Sequence, residues 1–238
     1  MTEMDQPRDA RAVVAEAMGT SFLLAAVVGS GIMGERLAGG NVAIALLANS
    51  LATGAALAAL ILTFAPISGA HFNPVVTMVE AGQGRVPWPR AFSYVLAQCA
   101  GAVIGVMVAH LMFSEPLLTA STHVRSGSAQ MFSEFVATFG LVTVIFTVSR
   151  SRASAVPFAV AAYIVAAYWF TSSTSFANPA VTVARALSNT FAGIRPADVP
   201  AFLVGQVGGA VASMVVCRWL TGGARRRQIE VESGATLQ

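Results

Sequence analysis

Six apolar runs, each near the length needed to cross a bilayer, constrain this chain more than any other feature. They lie at roughly 12–33, 42–65, 91–113, 131–149, 155–172 and 200–220. A hydrocarbon core of about 30 Å takes about 20 helical residues to span. No water inside it satisfies a bare peptide group, so the backbone must close its own hydrogen bonds. The runs therefore predict an all-α integral membrane fold. Charged residues make up only 11% of the chain, against about 25% in soluble domains. The first run contains Glu16 and is long enough to span, so it reads as a first transmembrane helix rather than a cleaved leader. Cys99 and Cys217 both fall inside apolar runs, which predicts buried thiols and no disulfide framework.

All 14 basic residues are arginine. Arg8, Arg11, Arg85, Arg90, Arg150, Arg152, Arg225, Arg226 and Arg227 fall on one side of the span pattern, and Arg36, Arg125 and Arg195 on the other. The positive-inside rule then puts both termini in the cytoplasm. The net charge of +3 follows from this topology and gives no reason to expect nucleic acid as a partner.

Two further apolar segments, about 73–82 and 178–188, are too short to span. Each begins with Asn-Pro, in "SGAHFNPVVT" (68–77) and "STSFANPAVT" (173–182). Asn is a favoured helix N-cap and Pro a favoured first helical residue. At about 1.5 Å per residue, ten residues cover about half of the core. Both segments read as half-spanning, re-entrant helices whose N-termini lie at membrane depth.

The chain also repeats itself. "NPVVT" and "NPAVT" lie 105 residues apart, "QCAGAV" and "QVGGAV" 108 apart, "EAMGT" and "EFVAT" 118 apart. Each half, about 12–113 and about 131–220, holds three spans and one half-helix. An odd number of spans inverts the second half, so the half-helices enter from opposite faces and meet near the midplane. Each N-terminus carries about +0.5 of an elementary charge. Such a meeting point accepts neutral hydrogen-bonding solutes and repels cations. The whole chain, 1–238, reads as one membrane domain.

These motifs, with the pairs Glu16/Glu134 and Gln98/Gln206, resemble the aquaporin, or major intrinsic protein, family over nearly the full length. The resemblance implies a passive channel in every protomer of a homotetramer, in the cell's inner (plasma) membrane. It implies no enzyme activity and no cofactor. By position it makes Asn73 and Asn178 the pore constriction. It gives the selectivity filter as Thr53, Ala166, Ser175 and Val181, with valine where the family usually has arginine. The first motif is NPV rather than NPA, which leaves the Asn donor in place. An arginine-free filter of small residues resembles the aquaglyceroporin-like channels of bacterial arsenic resistance. The expected permeants are then water, glycerol-like polyols and arsenite, which is neutral As(OH)3 at neutral pH. The alternatives are a water-selective aquaporin and an inverted-repeat secondary transporter.

In the family, Glu16 and Glu134 would accept hydrogen bonds from the loops that hold the half-helices, with His71 as a further support. Arg185, one turn beyond Val181, is a candidate for the outer vestibule or a partner for the end of its own helix. Glu80 is expected to pair with an arginine of an inner loop. The GxxxG pairs Gly101/Gly105 and Gly205/Gly209 predict close helix packing within the bundle. The spacing of the histidines suggests no metal site, and no Ser/His or metal-ligand set suggests hydrolysis.

Overall fold

A computed structural model describes residues 6–235, with side chains from 9 to 222. Among these residues every regular element is helical. The order is α1 (Gln6–Leu37), α2 (Val42–Ser68), α3 (Pro74–Gly82), α4 (Trp88–Phe113), α5 (Ser128–Ser151), α6 (Val156–Phe170), α7 (Pro179–Arg185) and α8 (Val199–Ala235). Six helical segments are long and apolar enough to cross a membrane, the fifth only when the 3-10 turn Ala153–Ala155 is joined to α6. The protein is a multi-pass membrane protein. The side chains of Arg8 and Arg225–Arg227, on which the expected orientation partly rests, lie outside the described residues.

The two halves pack alike. α1 packs against α2 and α4, and α5 packs against α6 and α8. Glycine makes both long contacts possible. A Cβ on Gly101 or Gly105 would lie 2.2 Å from the carbonyl oxygen of Ala17 or Ser21 on α1. On Gly205 or Gly209 it would lie 2.4 or 2.3 Å from that of Met131 or Phe135 on α5. Backbone meets backbone there, so both GxxxG pairs serve contacts inside the bundle.

The short helices form as their caps dictate. Asn73 Oδ1 accepts from Val75 N at 3.1 Å, and Asn178 Oδ1 from Ala180 N at 3.0 Å and Val181 N at 3.3 Å. Pro74 and Pro179 follow at the first helical position. α7 ends at Arg185, three residues short of expectation. There the chain folds back, and Ser188 N and Ile194 N both donate to Arg185 O. The turn brings Gly193 so close to Ser121 Oγ and Ser188 O, 2.3 Å from an added Cβ in each case, that no side chain fits.

Candidate functional site

The half-helices meet head to head. Asn73 Nδ2 donates to Ala177 O at 2.8 Å, and Asn178 Nδ2 donates to Phe72 O at 2.7 Å. Each amide thus uses one proton to bind the opposite repeat and keeps the other. Both side chains are buried and line one cavity of about 280 Å3.

The loops before each Asn carry unusual backbone. Gly69, Ala70 and Phe72 have positive φ, as do Thr174, Ser175 and Ala177, each 105 residues on. For a residue with a Cβ such a conformation costs of order 1–3 kcal/mol and needs support from its surroundings. Two fully buried carboxylates supply that support. Glu16 accepts from Ser68 Oγ at 2.6 Å, His71 N at 2.9 Å, Phe72 N at 2.7 Å and Gln98 Nε2 at 2.7 Å. Glu134 accepts from Phe176 N at 2.9 Å, Ala177 N at 2.8 Å and Gln206 Nε2 at 2.6 Å. The glutamines are held in turn by Thr77 and Thr182. His71 Nδ1 lies 3.0 Å from Thr77 Oγ1, so its ring joins the same network.

This arrangement aims the carbonyls. No peptide is cis, and in a trans peptide the C=O points opposite to the N–H that follows it. The N–H groups of residues 71, 72, 176 and 177 point at the carboxylates. The carbonyls of Ala70, His71, Ser175 and Phe176 therefore point away from them, and all four residues line the cavity. The cavity offers a short run of acceptors before and after a pair of Asn donors, along otherwise apolar walls such as Val76, Leu141 and Val160.

At one end it reaches Glu80 and Arg85, which form an ion pair at 2.9 Å, the inner-loop partner expected for Glu80. At the other end, outer in the expected orientation, it is lined by Thr53, Ser175 and Val181. Ala166 is not there. It lies exposed on the far face of α6, and Tyr168 takes the place instead, its hydroxyl 3.3 Å from Thr53 Oγ1. Which α6 residue faces the cavity depends on the length of the loop between α6 and Asn178. A shift of two residues turns a helix by about 200° and so presents the opposite face. The buried positions of α6, Val160, Ala161, Ile164, Ala167 and Tyr168, carry the i, i+3, i+4 signal that could have found the residue.

Nor is this end free of arginine. Arg185 is buried, lines the cavity, donates from Nε to Ala192 O, and lies over the Phe176 ring at 3.4 Å. It does not merely complement the end of α7. Arg125 was not singled out from the sequence. It arrives from the loop between α4 and α5 and stands 5.0 Å from the same ring. Burial pushes its pKa down to about 10, which leaves it charged at neutral pH. Burial, then Arg125 and Arg185, hold His123 below its usual 6.5, so it is neutral at pH 7. Among the described residues no cluster of His, Cys, Asp and Glu could hold a metal ion.

Comparison with known proteins agrees with this geometry. The family model described as major intrinsic protein matches residues 3–167. The chain is 53% identical to aquaglyceroporin AqpS of Rhizobium meliloti (strain 1021), over 90% of this chain and 92% of that protein. It is 32% identical to aquaporin NIP1-1 of Zea mays, over 84% and 71% respectively. An aquaglyceroporin from Plasmodium falciparum superposes with a TM-score of 0.71 at 20% identity, covering 89% of this chain and 95% of that one, and so shares the fold. The chain belongs to the major intrinsic protein family, whose members are channels and not enzymes.

Proposed function

We propose that the chain is a passive pore for small uncharged solutes: water, glycerol-like polyols and neutral trihydroxy species such as arsenite. One observation carries the reading. A single cavity passes between two facing half-helix N-termini, with Asn73 and Asn178 on its wall. Donors there, flanked by aimed carbonyls, replace a neutral solute's hydration shell, while the helix dipoles oppose a cation. Asn73 and Asn178 form the central constriction. Glu16, Glu134 and His71 hold the loops that shape it. The outer filter comprises Thr53, Tyr168, Ser175 and Val181, with Arg185 beside them. Valine at 181 leaves room for solutes of glycerol size, and the similarity to an aquaglyceroporin supports that size class.

The whole chain acts as one channel domain, as a homotetramer in the inner membrane with both termini cytoplasmic. Stopped-flow permeability of proteoliposomes to water, glycerol and arsenite, in wild type and Val181→Arg at matched incorporation, tests the reading. Wild type should pass all three, and the variant should lose glycerol and arsenite flux more than water flux. Wild type conducting water alone would overturn it. That outcome would favour a water-selective pore, for which the contact between Tyr168 and Thr53 across the cavity speaks.

A further inference from the structure

The loop from Ser114 to Gly127 does not hang free. Thr119 N donates to Leu187 O at 3.0 Å and Ser121 N to Ala186 O at 2.9 Å, which fastens it along the chain beyond α7. Its far end delivers Arg125 into the protein. Arg125 Nε donates to Gly193 O at 2.8 Å, and a terminal nitrogen donates to Ser173 O at 3.2 Å. Its backbone N–H is taken by Asp198 at 2.9 Å. Asp198 spends its other oxygen on Arg195, at 2.7 Å. Among the described residues neither the Arg125 nor the Arg185 guanidinium has a carboxylate partner. Two cations without a direct carboxylate partner therefore flank the Phe176 ring, which lines the cavity as Val181 does, and the buried Glu134 offsets their charge only from beyond ion-pair distance.

We propose that Arg125 and Arg185 together form an outer electrostatic barrier to cations, in place of an arginine at 181 and in series with the half-helix dipoles. The inference rests on the channel reading above. Arg185 lines the cavity and repels directly. Arg125 is a positioning residue as well as a charge. The two arginines donate to the carbonyl oxygens of Ser173, Gly193 and Ala192, which hold the guanidinium groups in place without neutralising them. Both also stand against the Phe176 ring, which lines the cavity together with Arg185.

The test compares guanidinium, a permanent small cation, with glycerol in proteoliposomes of the full chain. The variants are Arg125→Leu, Arg185→Leu, the double, and the double with Val181→Arg. Each single removal should raise the guanidinium-to-glycerol flux ratio about tenfold, and the double more. Restoring charge through Val181→Arg should bring the ratio back toward wild type. A purely packing role for either arginine would lower glycerol flux without raising the ratio, and Val181→Arg would not reverse it. An unchanged ratio in a double variant that still conducts glycerol overturns the proposal. If leucine at 125 prevents assembly, Arg125→Lys and Arg125→Gln decide. Lysine should hold the ratio and glutamine raise it, and identical behaviour removes Arg125 from the barrier. A wild type that passes no glycerol would sink the channel reading itself, a result distinct from all of these.

Discussion

Replacing Asn178 by Asp changes one atom type at the centre of the pore. The cap survives, because Oδ1 still accepts from Ala180 N and Val181 N, and Asp is as good an N-cap as Asn. The bond from Nδ2 to Phe72 O does not survive. Losing it costs about 1 kcal/mol, and leaving a buried carbonyl unpartnered costs about 1–3 more. Attraction of the carboxylate to its own helix N-terminus returns up to about 1–2. The net destabilisation should be about 0–3 kcal/mol. The effect on ions is larger. A full negative charge about 4 Å from a passing cation, at an effective dielectric constant of about 20, is worth about 4 kcal/mol. It cancels the sum of two helix termini at about +0.5 each. With the outer arginines in place, cation leak should rise between about tenfold and a thousandfold. Sodium efflux from proteoliposomes, with thermal unfolding in detergent alongside, measures both effects. Asn178→Ser is the control, since it loses the cross-link without adding charge. It should be destabilised and should not leak. Equal leak in Asp and Ser, or wild-type exclusion and stability in Asp, would refute the reasoning.

Glu134→Gln puts an amide NH2 where two backbone N–H groups and Gln206 all donate, and should lower stability by about 2–4 kcal/mol; an unchanged melting temperature would count against the carboxylate as the loop's anchor. Gly209→Ala forces a methyl to within 2.3 Å of Phe135 O and should cost about 1–3 kcal/mol, while Gly222→Ala, with nothing within 4 Å, should be silent in the same melt. Tyr168→Ala should raise the glycerol-to-water permeability ratio and Ala166→Leu should leave it alone; the reverse result would return Ala166 to the pore.

The parts of the site legible in the sequence were those that local rules or the repeat fixed. Asn-Pro announces a helix start by cap chemistry alone, so α3 and α7 could be placed within a few residues. Glu16 and Glu134 stood out because a carboxylate inside an apolar run is costly unless paired, and the family resemblance implied that each holds a loop. Tyr168 was missed because its position depends on a loop length that composition does not set. Arg125 was missed for another reason. In the sequence it is one polar residue in an outer loop. Its partners, Ser173 and Gly193, lie 48 and 68 residues away, and only the completed fold brings them together. Arg185 was visible as a candidate, but whether it turned to the cavity or to its helix end depended on the chain folding back at Gly193.

The two loops explain why solute passage needs no large conformational change. Of the six non-glycine residues with positive φ, five lie in the loops that precede Asn73 and Asn178. The buried carboxylates that hold these loops come from α1 and α5, helices packed backbone to backbone against α4 and α8 at the paired glycines. Moving a carbonyl out of the wall would break a charge-assisted hydrogen bond to a fully buried carboxylate, which is costly. The acceptors are therefore fixed before the solute arrives, and ordering them costs nothing at binding. A carrier requires two arrangements of similar free energy about its site. These loops are anchored at both buried carboxylates, and α1 and α5 meet α4 and α8 backbone to backbone at the paired glycines. The rigidity that makes the strained backbone tolerable also makes this site suited to a channel.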